Sequence, residues 1–413
     1  MQSPSTTTSI AGTPPQKFQM AKWCLYSVLS SLTQGHLTIY HRGHRRTFGD
    51  PFSDLRATIH INNDNAFRRF LFGGGVGAGE SYISGDWQTD DLTAVIRIFA
   101  RNQASLQRID KRFAWLHSPV RWLLRWRRQN THRQAKKNIA AHYDLSNALY
   151  SSFLDKRMQY SSAIYHDTQD SLEQAQENKL RAICEKLELN QNDHLLEIGT
   201  GWGGLAIYAA THYHCRVTTT TISNQQYEYA QEQIKQHGLA NQITLLKQDY
   251  RTLQGSYSKL VSVEMIEAVG ERFLPGYIQT CHKLLNPGGK LLLQSITIDE
   301  SRFQHYRNGV DFIQKHIFPG GFLPTVSLLR QLLAHHADMK LRDIERIGDS
   351  YALTLKAWRR NFIGNFSSIS KLGFDQRFYR TWLYYLQYCE GGFLERAIDT
   401  VHLLVEKSES SKS

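Results

Sequence analysis

The stretch His194–Gly204, HLLEIGTGWGG, constrains this chain more than any other. Five residues that read as a short buried strand run into Gly199, Thr200, Gly201, Trp202, Gly203 and Gly204. A helix is expected from about Leu205. Glycines suit such a turn because no side chain keeps a ligand off the backbone, and some positions there need positive φ. A strand, a tight glycine loop and a helix N-terminus together make a place where a nucleotide-like molecule lies against bare peptide groups.

The spacing of Gly199, Gly201 and Gly204 also satisfies the G-x-G-x-x-G pattern of dinucleotide binders. Two details favour S-adenosylmethionine (SAM) over a nicotinamide dinucleotide. Glu197 stands two residues before the first glycine, where class I SAM methyltransferases place an acid. The next strand, 215–221 (CRVTTTT), ends in threonine, whereas a dinucleotide site wants an acid there for the ribose. A ligand-free packing turn is the third reading of the loop.

The chain has 413 residues, enough for two domains, and a formal charge of +12, which favours an anionic partner such as an acidic membrane surface. Its five cysteines (Cys24, Cys184, Cys215, Cys281 and Cys389) are widely spaced, with no C-x-x-C. That argues against a disulfide framework or a metal site. No apolar run is long enough for a membrane-spanning helix, and the polar start lacks a signal-peptide pattern. The expectation is a cytoplasmic protein held peripherally at the inner face of the membrane.

Five segments are expected: a tail (1–19), an N-terminal lipid-facing α+β domain (20–115), a basic linker (116–140), a larger α/β domain with C-terminal helices (141–407) and a short tail (408–413). In the first domain, 37–40 and 57–61 alternate as strands do, and Asp90 or Asp91 can cap a helix that presents Leu92, Val95, Ile96 and Phe99. Residues 110–137 interleave arginine and lysine with Trp115, Trp122 and Trp126. Such a mixture suits a lipid headgroup boundary, and equally an exposed linker whose rings pack on a neighbour. No nucleic-acid reader module surrounds it, so nucleic acid is not expected as a partner; a homodimer is left open. From 171 onward helices and strands alternate, with strands at 215–221, 243–246, 260–263 and 290–298 and strand-like runs at 340–347 and 351–357. The pattern predicts a parallel doubly wound sheet with a late antiparallel hairpin. Residues 358–406 read as helical and aromatic.

Eight words in order carry a family resemblance: HYDLSNALYSSFLDKRMQYSSAIY (142–165), LLEIGTGWGGLA (195–206), TISNQQ (221–226), QDYR (248–251), VSVEMIEAVG (261–270), NPGGKLLLQSI (286–296), FIQKHIFPGGFLP (312–324) and the aromatic segment near Cys389. The chain resembles the cyclopropane-fatty-acyl-phospholipid synthases, which include the mycolic-acid cyclopropane synthases. The resemblance implies an α/β class I SAM-methyltransferase fold, Rossmann-like, with a mostly parallel seven-stranded sheet. It implies transfer of the SAM methyl, as a methylene, to the cis double bond of unsaturated acyl chains in the phospholipids of a bilayer.

The same resemblance places SAM contacts at Tyr160, Ser161, Glu197, Gly199, Gly201, Gly203, Thr221, Gln226, Asp249, Tyr250 and Arg251. An isolated alkene is a poor nucleophile, so the methyl donor must be held in line with it in a dry channel. The cation left by transfer suits aromatic faces, for which Tyr306, Phe312 and Phe318 are candidates. A base must then remove a proton. In the family a bicarbonate does so, held by groups that map to Glu267, Gln294, Tyr351 and the amides of Ser162 and Ile296; Cys389 joins this candidate set. No resident metal is expected. Most bacterial members carry Cys at the Ser162 position and His at the Gln294 position, whereas plant-type members share EMIEAVG and the Gln. A site that takes its proton from a different carbon gives a methylene- or methyl-branched chain, and that product stays open, as does a non-catalytic membrane- or nucleic-acid-binding protein on the same fold. Taken singly, Glu267 also reads as an acid at a helix N-terminus, Tyr351 as a core strand residue, Thr221 as an ordinary strand threonine and Gln226 as a solvated helix residue.

Overall fold

The computed structural model describes residues 16–106, 146–336 and 338–409. The basic stretch read as a lipid-facing segment or linker lies outside them. In the larger domain, strands β5 (His194–Ile198), β6 (Arg216–Thr220), β7 (Ile243–Leu246), β8 (Tyr257–Val263), β9 (Leu285–Ile298), β10 (Met339–Arg346) and β11 (Ile398–Lys407) form one sheet in the order β10-β11-β9-β8-β5-β6-β7. Five neighbouring strands, from β7 to β9, are parallel, and β11 pairs antiparallel with both β9 and β10. The central strands β5, β8 and β9 carry apolar runs because helices cover both faces; Leu195, Leu196, Leu260, Val261, Leu291 and Leu292 have no exposed surface. The order reverses direction at β5, and open α/β sheets bind ligands at the carboxyl ends of strands beside such a switch.

Most expected helices form where their caps are. Ser171, Ser223 and Thr325 each accept a backbone N–H at the start of Leu172–Lys186, Asn224–Gln236 and Val326–Ala334, and Asp91 caps Leu92–Arg101. One expected strand is a helix: residues 351–357 lie inside Gly348–Gly364. Tyr351, Leu353 and Leu355 alternate, but Tyr351, Leu355, Trp358 and Phe362 also repeat at helical spacing, and it is these that are buried. The antiparallel partner of β10 therefore comes after three helices, Gly348–Gly364, Phe366–Lys371 and Gln376–Leu394. It is β11, in a region read as helical.

The N-terminal domain is a four-stranded sheet, β2-β1-β3-β4, built from His36–His41 (β1), His44–Gly49 (β2), Arg56–Ile61 (β3) and Trp87–Thr89 (β4). It does not stand apart. Leu29, Ile39, Phe67, Trp87 and Ile98 share one apolar cluster with Phe312, Trp358, Trp382 and Tyr384 of the larger domain. Glu395 receives Arg97 at 2.6 Å and Arg101 at 2.7 Å across the same seam. A glycine-rich run, Gly73 to Gly79, is part of a helix, Asn65–Ile83, that kinks at Gly74 (φ 52, ψ −140). Its Gly79 lies so close to the other domain that a Cβ there would stand 2.6 Å from a Phe312 ring carbon and 2.8 Å from Tyr384. Alanine favours a helix by up to about 1 kcal/mol over glycine, yet the rings leave no room, and overpacking costs about 1–3 kcal/mol. Gly79→Ala should therefore lower the melting temperature; an unchanged or raised value in thermal denaturation would show that the two domains can separate there freely.

Candidate active site

At the carboxyl end of β5 the glycine loop takes the backbone its sequence requires. Gly199, Gly201 and Gly203 have φ of 100°, 52° and 90°. The amides of Gly199 and Thr200 both donate to the carbonyl of Thr220, which ties the loop to the end of β6. The helix Gly204–Tyr213 follows directly. A cavity of ≈ 180 Å³ opens here, lined by Tyr160, Ser161, Glu197, Gly199, Gly201, Thr221, Gln226, Asp249, Tyr250 and Arg251. These are the expected SAM contacts with one correction. Gly203 does not line the cavity; it caps the helix behind it, where a Cβ would meet Ala230 at 3.3 Å.

The polar groups around this cavity are pre-arranged. Thr221 Oγ1 donates to Gln226 Oε1 at 2.8 Å, and both side chains are buried. The Asp249 carboxylate is held bidentately by Arg251. Lys179, buried, donates to Gln159 and to Ser161 Oγ, and burial lowers its ammonium to about 8. Burial pushes the Glu197 carboxyl up to about 8. Thr219 Oγ1 lies 2.5 Å from Glu197 and 2.6 Å from Thr200 Oγ1. A hydroxyl has one proton to give, so Thr219 donates to the Glu197 carboxyl and accepts from Thr200. Bare backbone at open, positive-φ glycines beside neutral ribose-type partners fits SAM; the ≈ 180 Å³ space gives it one wall of peptide amides.

A second, larger cavity of ≈ 630 Å³ runs from the N-terminal sheet into the larger domain. Leu29, Ile39, Phe70, Trp87, Phe99, Phe318 and Tyr388 are among its walls, mostly apolar, and its volume falls within the about 300–1,000 Å³ typical of ligand sites. Tyr160, Glu264 and Ala268 line both cavities, so the two meet there. All three aromatic candidates line the large cavity, and the Phe318 ring lies 6.4 Å from that of Tyr160 at the junction. Phe312 packs on Tyr384, and the Tyr306 hydroxyl accepts from Gln314 and from the amide of Leu323. Cys389 also lines the large cavity.

The remaining candidates gather beside the junction, though not around an open anion site. Glu264 Oε1 accepts from the Ser162 amide and from Gln294 Nε2, each at 2.8 Å, and Tyr351 donates to Oε2 at 2.7 Å. Glu267 Oε1 accepts from the Ile296 amide at 2.6 Å and from the Ser295 hydroxyl at 3.1 Å, while its Oε2 is buried without a partner. Every donor the resemblance gives to a bicarbonate is thus engaged by a carboxyl group of the chain itself, and the residues present do not fit that ion. Burial raises both acids above the ordinary carboxyl range; Glu267, further raised by Glu264, reaches about 8. With more donors around it, Glu264 carries the charge of the pair, and Glu267 holds a proton at neutral pH. Glu264 is the residue that sequence reasoning missed. Its signal was a second acid three residues before Glu267, at the end of a strand that must close on the site. Its backbone has φ 49°, a left-handed conformation that costs a non-glycine residue about 1–2 kcal/mol and that clusters at functional sites.

A doubly wound sheet with a glycine loop at its switch point, opening onto an apolar chamber, defines a class I SAM-dependent methyltransferase. The family profile described as mycolic acid cyclopropane synthetase matches residues 130–403. The tuberculostearic acid methyltransferase UfaA1 of Mycobacterium tuberculosis is 34% identical over 404 residues, covering 95% of this chain and 93% of that protein. The cyclopropane-fatty-acyl-phospholipid synthase of Escherichia coli K12 is 37% identical over 83% of this chain and 86% of its own. The crystal structure of mycolic acid cyclopropane synthase CmaA1 with SAH and CTAB superposes with a TM-score of 0.61 at 25% identity, covering 66% of this chain and 98% of that one. The chain belongs to the mycolic acid cyclopropane synthetase family, whose members are SAM-dependent cyclopropane-forming and methyl transferases acting on lipids. Among the described residues no helix is long and apolar enough to cross a membrane.

Proposed function

We propose that this protein transfers the methyl group of SAM to the cis double bond of an unsaturated acyl chain of a membrane phospholipid, at the inner face of the bilayer, and closes a cyclopropane ring. The observation that carries this reading is the junction at Tyr160, Glu264 and Ala268, where a glycine-walled cavity and a long apolar one share a wall. SAM supplies an electrophilic methyl; the chain supplies everything else. Gly199, Gly201, Gly203, Thr221, Gln226 and the Asp249–Tyr250–Arg251 turn shape its berth, with Gly203 acting from behind. Tyr160 and Phe318 put aromatic faces where positive charge develops on the acyl chain. The apolar walls keep out water that would trap a cation. Glu267, Tyr351, Gln294, Ser162 and Ile296 form the polar patch on the side from which the proton departs, grouped around Glu264, with Cys389 on the apolar side.

A second product is favoured by a specific observation: a relative covering 95% of the chain is named for tuberculostearic acid, not for a cyclopropane. Both products need the same transfer and the same loss of a proton. Vesicles of cis-monounsaturated phospholipid, but not saturated ones, should support release of S-adenosylhomocysteine. Proton NMR of the extracted lipid should then show the upfield ring protons of a cyclopropane; exocyclic vinyl protons instead would select the methylene product. Equal release with saturated lipid, or none with either, would sink the reading.

A further inference from the structure

We propose that the carboxylate of Glu264 is the proton acceptor of the reaction, standing where a bound anion would otherwise be needed, so that this enzyme turns over without bicarbonate. The inference rests on the acyl-chain methylation just described and adds its base.

Three observations carry it. The first is occupancy: the Ser162 amide, Gln294 and Tyr351 all point their protons at one carboxyl group, at 2.7–2.8 Å. The second is place. Glu264 lines both the SAM-type cavity and the acyl cavity, which few residues do. Among the described residues its Oε2 accepts a hydrogen bond from Tyr351 alone, so a lone pair is left for an incoming proton. The third is the way the surrounding hydrogen bonds are directed. Lys186 Nζ lies 3.4 Å from His402 Nδ1, and His402 Nε2 lies 2.9 Å from Gln294 Oε1. An ammonium only donates, so Nδ1 accepts and Nε2–H donates to the Gln294 oxygen. Burial keeps His402 neutral, with its imidazolium form confined to about pH 3 and below. The Gln294 amide nitrogen is therefore turned toward Glu264, where it donates to the carboxylate and to the Ser162 carbonyl. A glutamine in this setting cannot itself take a proton, and Glu264 is the group left to do so. The left-handed backbone at Glu264, unfavourable for a side-chain-bearing residue, is what brings the carboxylate from the end of β8 to the junction.

The step balances as follows. The π pair of the alkene forms the bond to the methyl carbon as the carbon–sulfur bond breaks, its pair staying on sulfur. The acyl chain is left with one positive charge. A C–H bond of the new methyl breaks, its electron pair closes the ring, and the proton passes to Glu264 Oε2. For the methylene product, a hydride first shifts between the two former alkene carbons and the same C–H pair becomes the exocyclic double bond. Either way one proton reaches Glu264, and no oxidant or reductant enters.

The test compares the full-length protein with Glu264→Gln and Glu264→Gly in carbonate-free buffer and with added ¹³C-bicarbonate, reading S-adenosylhomocysteine release, SAM binding and the ¹³C line width. Wild type is expected to turn over equally in both buffers and to leave the ¹³C signal sharp. Glu264→Gln should bind SAM yet lose about 10²–10⁴-fold in kcat, the usual worth of a general base. Glycine suits the left-handed backbone, so Glu264→Gly should fold, expose the vacated donors, broaden the bicarbonate signal and regain activity as bicarbonate is added. A wild-type rate that falls about tenfold or more without bicarbonate would overturn the proposal, as would bicarbonate binding to wild type or wild-type turnover by Glu264→Gln. If wild type releases no S-adenosylhomocysteine from any unsaturated lipid, the functional reading fails instead, and the ¹³C comparison of wild type with Glu264→Gly still decides whether Glu264 fills an anion site.

Discussion

Gly199→Val is expected to cost at least about 100-fold in SAM affinity, or about 2.8 kcal/mol at 1.4 kcal/mol per tenfold, measured by isothermal titration with SAM or its demethylated product. Gly199 has φ of 100°, outside any region a β-branched residue occupies. Its N–H and that of Thr200 converge on the Thr220 carbonyl, so the loop cannot swing to a better φ without detaching from β6. Its missing Cβ would also press on the Met265 side chain at 3.2 Å, one residue from Glu264. Strain, a displaced amide wall and a shifted junction act in the same direction. A control separates strain from binding. Gly238 also has positive φ (70°), with open space around its missing Cβ, and it follows the helix Asn224–Gln236 outside the cavity. Gly238→Ala should lower the melting temperature and leave SAM affinity unchanged. Tight SAM binding by folded Gly199→Val would show that the loop is a packing turn and nothing more.

The loop was legible because glycine spacing is a local signal, written within eleven residues and tied to a strand on one side and a helix on the other. The Asp91 cap was legible for the same reason. Tyr351 was assigned to the site but to the wrong element. A window of seven residues holds too few turns to tell alternation from helical repeat, and the decisive partners, Trp358 and Phe362, lie beyond it. β11 was missed because its strand character depends on β9 and β10, which sit far away in sequence. The family resemblance brought Gln294, Tyr351, Ser162, Glu267 and Ile296 to one place, and they are in one place. What it could not supply was the identity of the group they surround. That group is Glu264, whose signal was an acid three residues before Glu267, and its left-handed backbone is not written in that spacing. The merging of the N-terminal sheet with the aromatic C-terminal helices was equally silent, because it is carried by small residues such as Gly79 and Gly391, where rings or aliphatic branches of the other domain press in.

The second large effect separates two changes at Glu267 that would look alike if this residue were the charged base. Glu267→Ala should lower kcat by about 10²–10³-fold, comparable to removing a preorganised donor, whereas Glu267→Gln should stay within about tenfold of wild type. The reason lies in its protonation. Burial first, and then the charge of Glu264, push the Glu267 carboxyl up to about 8, so at neutral pH it is an acid with one oxygen accepting from Ile296 and Ser295. Its proton therefore sits on Oε2, the oxygen without a partner. A glutamine side chain repeats that pattern of one acceptor and one donor; alanine leaves the Ile296 amide unpaired and opens a void against Glu264. The pH profile gives an independent readout. As pH rises through about 8, wild type gains a second negative charge beside Glu264 and kcat should fall, a limb that Glu267→Gln should lack. Lys179 and Glu197 also titrate near 8, but Lys179 bonds Gln159 and Ser161 and Glu197 lines the SAM-type cavity, so their changes of charge should appear in the KM for SAM. Stability carries the same sign. The folded state keeps the Glu267 proton that the unfolded chain releases in the ordinary carboxyl range, so wild type loses stability from there up to about pH 8, by at most about 1.4 kcal/mol per pH unit. Glu267→Gln should flatten that slope. Equal, near-total losses in Glu267→Gln and Glu267→Ala, with the alkaline limb unchanged in the former, would place the working negative charge on Glu267 and take it away from its neighbour three residues upstream.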